Sequence, residues 1–262
     1  MTYAEVNGIS LWYEEHGEGA PLVLLHGGFW TIELFGPLLP ALAAQGRRVI
    51  AVELQGHGHT PDNDRPMRYE TLGDDVAALI RHLGLPRADV MGYSLGAGAA
   101  LRTAIQHPDV VRRLIVAAIP VRRTGWFPEV LAGTAQIGPE SAEMMKASPL
   151  YAAYERVAPH PESWPVLATK LGDMLRRDYD WTAEAARISA RTMLVYADAD
   201  SVPTTHAAEF YALLGGGLRD AEWDASKRVA HRLAILPGRT HYDLTGDPTL
   251  PTLVNDFLSA PD

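Results

Sequence analysis

The sequence predicts one α/β domain built on a mostly parallel β-sheet, because two kinds of segment alternate along its 262 residues. The first kind is a short, almost continuous apolar run, which is typical of a strand covered by helices on both faces. The second kind is a longer stretch with helical periodicity, and repeated strand–helix alternation produces a doubly wound sheet. In one place more than seventy residues separate consecutive apolar runs, and this spacing predicts an inserted subdomain.

The individual elements follow from these patterns in chain order. Residues 3–6 and 9–14 flank Asn7-Gly8, a strong signal for a two-residue hairpin turn, so the chain opens with an antiparallel pair. Core strands are predicted at residues 22–25, 49–52, 88–91, 114–118, 192–196 and 232–236. Core helices are predicted at residues 34–44, 72–83, 95–106, 206–214 and 250–258. We therefore expect a core domain of residues 1–120 and 189–262, interrupted by a helical cap at residues 121–188.

The predicted cap is rich in aromatic residues and methionine, in helical-looking segments separated by prolines. Such residues at helical spacing are more often ordinary core packing. As a set, however, they would lie over the ends of the strands, which is the place of a lid. The predicted lining of a substrate pocket draws on the core and the cap: Phe29, Trp30, Tyr93, Trp126, Phe127, Met144 and Trp164.

Composition argues against several functional classes. A net charge of −9, from 23 basic and 32 acidic residues, disfavours nucleic acid or an anionic membrane as the main partner. The absence of cysteine excludes disulfides, thiolate metal sites and a cysteine nucleophile. The N-terminus has no basic segment followed by an apolar one, and no apolar run approaches the ~20 residues of a membrane span. We expect a cytoplasmic monomer or homodimer that acts on a small molecule.

The most informative motif is Gly92-Tyr93-Ser94-Leu95-Gly96, which lies between a predicted strand and a predicted helix. A serine on such a sharp turn holds strained dihedral angles, and its neighbours two residues away must lack side chains if strand and helix are to approach. The following helix would supply amide donors beneath the hydroxyl. Although the motif also occurs by chance as an ordinary turn, this context makes Ser94 the candidate nucleophile.

A serine hydroxyl needs a base, and the base needs an acid that holds its tautomer. His241 follows the last predicted strand, at the edge of the sheet where open α/β folds place their sites. Asp198 and Asp200 both follow the preceding strand. We favour Asp200 because it lies in the loop proper, whereas Asp198 is better suited to bonding loop backbone.

An oxyanion would need two fixed donors, and the amide of Leu95 supplies one because it follows the nucleophile directly. The second donor should come from the glycine turn after the first parallel strand, where the chain reads His26-Gly27-Gly28-Phe29. Gly28 is our first choice and Phe29 the second. We interpret His26 as a structural histidine rather than a second base.

Taken together, His26-Gly27-Gly28, the stretch 55–60, the turn around Ser94, Asp200 and His241 make this chain resemble the α/β-hydrolase superfamily. The resemblance implies an eight-stranded sheet whose second strand is antiparallel, a helical cap between strands six and seven, and a Ser-Asp-His triad that needs no metal or other cofactor. Within that superfamily, Ser94 at the nucleophile position disfavours the dehalogenase and epoxide-hydrolase branches, which use an aspartate nucleophile, and the dienelactone hydrolases, which use cysteine.

The chain departs from the superfamily pattern after the second parallel strand. Gln55-Gly56-His57-Gly58-His59-Thr60 resembles the usual Arg-Gly-His-Gly-x-Ser turn, and Glu53 stands where Asp is usual. These differences concern the subfamily rather than the triad. We interpret His57 and His59 as packing or solvent-facing residues, with a zinc site as a weaker alternative that lacks an obvious partner set.

These observations predict a serine hydrolase that cleaves an ester or lactone of a small to medium, partly apolar substrate through an acyl-enzyme on Ser94. Because His241 must be neutral to act as a base, activity should fall on the acid side of neutrality. The same three residues would serve a cofactor-free perhydrolase, a haloperoxidase-like enzyme or a C–C bond hydrolase, so these alternatives stay open. A ligand-binding protein that keeps the fold without turnover is the alternative from a different class.

Overall fold

The computed structural model describes residues 2–261 and contains one eight-stranded sheet. Its strands are β1 (Thr2–Val6), β2 (Ile9–His16), β3 (Ala20–Leu25), β4 (Arg47–Val52), β5 (Ala88–Tyr93), β6 (Val111–Ala117), β7 (Arg191–Ala199) and β8 (Arg232–Thr240). The spatial order is β1-β2-β4-β3-β5-β6-β7-β8. Strand β2 is antiparallel to both neighbours, while β3 to β8 pair in parallel. The predicted eight-stranded sheet with an antiparallel second strand is thus confirmed.

Ten α-helices accompany the sheet within the described residues. Those of the core are α1 (Leu38–Ala44), α2 (Tyr69–His82), α3 (Leu95–Gln106), α9 (Thr204–Leu213) and α10 (Leu250–Ser259). Those between β6 and β7 are α4 (Pro128–Ala135), α5 (Pro139–Met145), α6 (Pro149–Val157), α7 (Trp164–Arg176) and α8 (Thr182–Ala185). Two apolar clusters form, one with residues of α2, α3 and α9 and the other with residues of α1 and α10, so helices cover both faces of the sheet.

Several predicted boundaries were wrong, and for two of them the local reason is identifiable. The helix predicted at residues 34–44 is a 3₁₀ turn (Ile32–Phe35) followed by α1, because Gly36 adopts a φ of 37° and Pro37 precedes the helix. Helix α2 begins three residues earlier than predicted. Strand β8 continues beyond residue 236 through Pro237 and Gly238, where its pairing with β7 shifts register.

Close packing between α2 and α3 explains why a small residue occurs on each helix, Gly73 on α2 and Gly98 on α3. A methyl group added at Gly73 would lie 2.9 Å from the amide nitrogen of Thr103 and 3.0 Å from the carbonyl carbon of Arg102. Gly98 faces the ring of Tyr69 so closely that no side chain fits there. These contacts hold α3, and with it the turn at its start, in a defined position against the sheet.

No helix among residues 2–261 combines the length and the apolar character needed to cross a bilayer.

Candidate active site

Ser94 lies on the turn that joins β5 to α3, with φ 52° and ψ −114°. Side chains at Gly92 or Gly96 would overlap the carbonyl groups of Gly96 and Leu25, respectively, so only glycine fits at either position. The amide of Ser94 donates to the carbonyl of Ala117 at 2.8 Å. Such a backbone conformation costs on the order of 1–3 kcal/mol and persists only where the surroundings enforce it. In this protein β5, α3 and the neighbouring strand β6 together impose this conformation on Ser94.

His241 and Asp200 form a hydrogen-bonded chain that reaches Ser94. His241 Nε2 lies 3.1 Å from Ser94 Oγ, and its Nδ1 lies 2.9 Å from Asp200 Oδ1. Because a carboxylate only accepts, Nδ1 carries the proton and Nε2 is left to accept the serine hydroxyl. The carboxyl side chain of Asp200 is 0% exposed, and its oxygens also accept from the amides of Ala197 (3.0 Å) and Val202 (3.4 Å). The structure brings together the three residues that the sequence singled out.

Asp198 performs a different task from its neighbour Asp200. Its carboxylate accepts from the amides of Gly238 at 3.0 Å and Arg239 at 3.2 Å, at the register shift between β7 and β8. These two bonds lower the pKa of the exposed Asp198 carboxyl. Asp198 therefore anchors the part of β8 that leads to His241, and it bonds strand backbone rather than the loop backbone that the sequence suggested.

Tyr93 fixes the position of His241 from the other side. Its hydroxyl donates to the carbonyl of His241, and the two rings pack with their centroids 5.4 Å apart. Trp126 packs against the same imidazole in a T-shaped arrangement, with the ring centroids 5.7 Å apart. The imidazole is thus held by aromatic packing as well as by Asp200.

Two backbone amides beside Ser94 are available as oxyanion donors. The amides of Gly28 and Leu95 have no hydrogen-bond acceptor within residues 2–261, and both residues line the same cavity as Ser94. A methyl group added at Gly28 would lie 3.9 Å from Leu95 Cβ, which places the two residues side by side. The amide of Phe29, our second choice, donates instead to His57 Nε2 at 3.1 Å. Gly28 and Leu95 are therefore the pair that the geometry favours.

His26 and His57 are buried and form hydrogen bonds with backbone groups of the turn at residues 27–29 and of the loop at residues 54–55. His26 Nδ1 donates to the Gly27 carbonyl at 2.7 Å, and its Nε2 accepts from the amide of Leu54 at 3.1 Å. His57 Nδ1 likewise donates to the Gln55 carbonyl at 2.9 Å. Burial lowers the pKa of His26 to about 3 and that of His57 to about 4, so both rings are neutral at physiological pH.

Both nitrogens of His57 are engaged by backbone groups, so this ring has no lone pair free for a metal ion. His59 stacks on Trp12 with ring centroids 4.3 Å apart, and its Nδ1 lies 2.9 Å from Glu53 Oε2. The buried Glu53 carboxylate also accepts from the amide of His59 at 2.5 Å. The stretch at residues 53–60 therefore forms an internally bonded loop beneath the candidate site.

A cavity of about 440 Å³ opens onto Ser94. Four of the predicted pocket residues line it: Phe29, Trp30, Tyr93 and Trp126. The segment between β6 and β7 contributes mainly aliphatic side chains, namely Val130, Leu131, Ile137, Leu150, Leu171 and Leu175. Within the described residues, no lysine, arginine, aspartate or glutamate contributes to the lining. The cavity can therefore enclose a mostly apolar, uncharged group next to the candidate nucleophile.

Three predicted pocket residues were wrong. Phe127 does not line the cavity, and its amide donates to the Ser201 carbonyl at 3.2 Å just before α4 begins. Met144 is 74% exposed on α5. Trp164 is 0% exposed because it lies one layer deeper, packed on Phe29, with its indole N–H donating to the Ala142 carbonyl at 3.0 Å.

The sequence did not predict the six aliphatic lining residues between β6 and β7, nor two lining tyrosines, Tyr69 and Tyr179. A usable signal existed for some of these positions, since Val130 and Thr134, and likewise Leu171 and Leu175, recur at the four-residue spacing of one helix face. Aromatic content alone did not identify which side chains face the cavity.

This chain is similar in sequence to a known family and to several curated proteins. Residues 20–254 match the family model described as the alpha/beta hydrolase fold. A mouse protein named sn-1-specific diacylglycerol lipase ABHD11 is 39% identical over 108 residues, which cover 39% of this chain and 34% of the relative. A soluble epoxide hydrolase from Corynebacterium sp. (strain C12) is 37% identical over 116 residues, covering 43% of this chain and 39% of the relative. The matched segments thus span little more than a third of these curated relatives.

Solved structures are similar over nearly the whole chain. The crystal structure of E-2-(acetamidomethylene)succinate hydrolase has a TM-score of 0.74 at 21% identity, covering 98% of each chain. That of the enol-lactonase from Burkholderia xenovorans LB400 has a TM-score of 0.73 at 21% identity, covering 98% of this chain and 100% of the other. At this level of identity the likeness concerns the fold alone.

Proposed function

The chain belongs to the α/β-hydrolase fold family, and we propose that it is a serine hydrolase that cleaves carboxylic esters or lactones carrying an uncharged, apolar group. One observation carries this proposal: Ser94, His241 and Asp200 form a continuous hydrogen-bonded chain at the wall of an uncharged cavity. The small-molecule substrate is the partner that we propose for this cavity.

The proposed reaction begins when Ser94 Oγ attacks the ester carbonyl carbon while His241 Nε2 takes the hydroxyl proton. Asp200 stabilises the resulting imidazolium, and the amides of Gly28 and Leu95 donate to the oxyanion. The tetrahedral adduct collapses when His241 returns the proton to the leaving alkoxide, which departs as the alcohol. A water molecule then attacks the acyl-enzyme by the same route, releasing the acid and restoring Ser94.

The cavity lining supports the proposed substrate class. A substrate carboxylate enclosed here would lose hydration without meeting a cationic side chain, which is energetically unfavourable. A neutral acyl or alcohol group of small to medium size gains instead from contact with the aliphatic residues of the cap. We therefore propose neutral esters rather than esters of dicarboxylic acids.

The names of the two relatives correspond to two different reactions, ester hydrolysis and epoxide hydrolysis. One relative is named a diacylglycerol lipase, and another is named a soluble epoxide hydrolase. For this chain we favour the ester substrate because the turn carries a serine, whose oxygen forms an acyl-enzyme after its proton passes to His241.

The proposal is tested by labelling the protein with a fluorophosphonate and locating the adduct by mass spectrometry, together with kinetics on p-nitrophenyl esters. We expect the label on Ser94, hydrolysis of neutral acyl esters, and at least tenfold lower kcat/KM for a p-nitrophenyl hemisuccinate of matched length. Ser94→Ala should reduce kcat by roughly 10⁴-fold or more.

Retention of ester hydrolysis by Ser94→Ala, or labelling at another residue, would contradict the proposed nucleophile. Preference for the hemisuccinate would contradict the substrate class alone. Faster peracid formation from acetate and hydrogen peroxide than ester hydrolysis would assign perhydrolysis to the same residues instead.

A further inference from the structure

A second pocket lies at the N-terminal end of β8, whereas Ser94 follows the C-terminal end of β5. It is formed where the loop at residues 214–231, between α9 and β8, packs against the start of β8, and its volume is about 200 Å³. Strand β8 runs from this pocket towards His241. Its residues Arg232 and Thr240 pair with Met193 and Ala199 of β7, which are six residues apart, so the separation is roughly 20 Å at about 3.3 Å per residue. The pocket is therefore separate from the candidate active site.

The pocket is cationic in a protein whose net charge is −9. Arg219, Lys227, Arg228 and Arg232 line it, and no described aspartate or glutamate does. Lys227 pairs with Glu222 at 2.6 Å. Arg219, Arg228 and Arg232 have no acidic partner within residues 2–261. In formal charge, Asp220, Glu222 and Asp224 balance the three cations of the 214–231 loop, but none of these acids lines the pocket, so the lining itself is cationic.

The loop contains acidic residues, but their carboxylates are engaged elsewhere. Asp220 accepts from the amide of Glu222 at 3.1 Å, and Asp224 accepts from the amide of Ser226 at 3.0 Å. Both contacts are local turns in which the carboxylate bonds the backbone two residues further on. These carboxylates keep their charge, but neither residue lines the pocket, so neither lies among the guanidinium groups there.

Arg232 shows most clearly that a partner is missing. Its Nε is buried without a hydrogen-bond partner in the described residues. Burial, and then the nearby Arg228 guanidinium, lower the pKa of Arg232, with Arg191 adding to the effect. A buried donor without an acceptor destabilises a structure, and neighbouring like charges add to that cost. An anion placed between these guanidinium groups would offset both effects.

A glycine loop supplies further donors at the same pocket. A side chain at Gly216 would overlap the ring of Tyr211, so the backbone packs directly on that ring. Gly215 and Gly217 line the pocket with φ of 84° and 68°. The amides of Gly217, Leu218 and Arg219 have no acceptor within residues 2–261. Successive free amides in such a glycine turn form an anion-binding concavity.

We propose that this pocket binds the phosphate group of a small phosphorylated metabolite. A phosphate offers several acceptor oxygens and nearly two negative charges, which match the guanidinium forks of Arg228 and Arg232 and the glycine amides. At ~30 Å³ per water molecule, the pocket has room for a phosphate and a small organic group. This site is independent of the proposed ester hydrolysis.

Isothermal titration calorimetry of the whole protein tests the proposal, with inorganic phosphate, ribose 5-phosphate and ribose as probes at constant ionic strength. We expect saturable binding of both phosphates and none of ribose. Arg228→Gln and Arg232→Gln should each weaken phosphate binding by about tenfold or more. Arg81→Gln, which removes an exposed arginine paired with Asp109, is the matched control and should bind as the original protein does.

Tighter binding of ribose 5-phosphate than of inorganic phosphate would support a phosphorylated metabolite as the ligand, whereas equal or weaker binding would contradict the organic part of the proposal. Arg228 is exposed, so its substitution tests the site without risk to folding. Absence of saturable phosphate binding up to about 10 mM, or equal binding by both pocket variants and the original protein, would overturn the proposal.

Discussion

The amide of Phe29 donates to His57 Nε2, and this single bond of 3.1 Å separates two otherwise equivalent oxyanion candidates. Phe29 adopts a φ of 63°, an uncommon conformation for a residue with a side chain. His57 engages the amide of Phe29, whereas the preceding amide, that of Gly28, has no protein acceptor among residues 2–261. A ring 28 positions away in sequence therefore occupies one of the two candidate donors.

The buried histidines predict how stability depends on pH. In the unfolded chain a histidine has a pKa of about 6.5, whereas burial lowers the pKa of His57 to about 4 and that of His26 to about 3. At a pH between its folded and its unfolded pKa, each of these histidines binds a proton in the unfolded state but not in the folded state. The free energy of unfolding should therefore fall as the pH drops below ~6.5, by up to ~1.4 kcal/mol per pH unit for each histidine, and should be unaffected by these groups above that pH.

Urea unfolding between about pH 7 and pH 4.5 measures this slope. His57→Gln keeps a donor and an acceptor but cannot titrate, so its stability should decline less steeply over the same range. Parallel curves for the two proteins would mean that His57 already binds a proton in the folded state.

The two aspartates at the end of β7, Asp198 within the strand and Asp200 directly after it, should differ sharply in their effect on catalysis. Asp200 contacts His241 Nδ1, so Asp200→Asn should lower kcat by roughly 10³–10⁴-fold through loss of the correct tautomer. Asp198 only bonds the amides of Gly238 and Arg239, so Asp198→Asn should lower kcat by less than about tenfold. Steady-state kinetics on one p-nitrophenyl ester distinguish them, and the reverse ranking would reassign the acid.

Leu131 should limit the length of the group that the cavity accepts. It lies on α4 and lines the cavity, so Leu131→Trp should fill space and lower kcat/KM for long acyl esters by about tenfold while sparing acetate esters. The matched control is Met144→Trp, because Met144 is 74% exposed and does not line the cavity. An equal shift in chain-length preference for both variants would show that the cavity does not select the acyl group.

Two buried tyrosines should respond differently to the loss of their hydroxyl groups. The Tyr196 hydroxyl donates to the Ile119 carbonyl at 2.7 Å, so Tyr196→Phe should lower the free energy of unfolding by about 1–3 kcal/mol. The Tyr69 hydroxyl makes no hydrogen bond within the described residues, so Tyr69→Phe should change stability by less than about 0.5 kcal/mol. Chemical denaturation measures both values. A larger loss for Tyr69→Phe would reveal a partner for its hydroxyl.

Local patterns predicted the parts of this molecule that depend on local sterics and chain order. The glycines around Ser94 are required because strand and helix meet there without room for side chains, and that requirement is visible in five consecutive residues. Asp200 and His241 could be selected because parallel strands deliver their following loops to one edge of the sheet. The spacing between β6 and β7 likewise predicted where additional helices would lie.

The sequence by itself determined the sheet, the turn at Ser94 and the residues that could reach it, because these follow from periodicity, glycine sterics and strand direction. Only the tertiary structure decided which cap residues line the cavity, since Trp164 and Met144 occur in similar segments yet one is buried and the other exposed. It also decided that Gly28 rather than Phe29 keeps a free amide, and that the cations of the 214–231 loop gather in one pocket. These outcomes depend on contacts between segments distant in sequence, and no local pattern encodes which neighbours a side chain will meet.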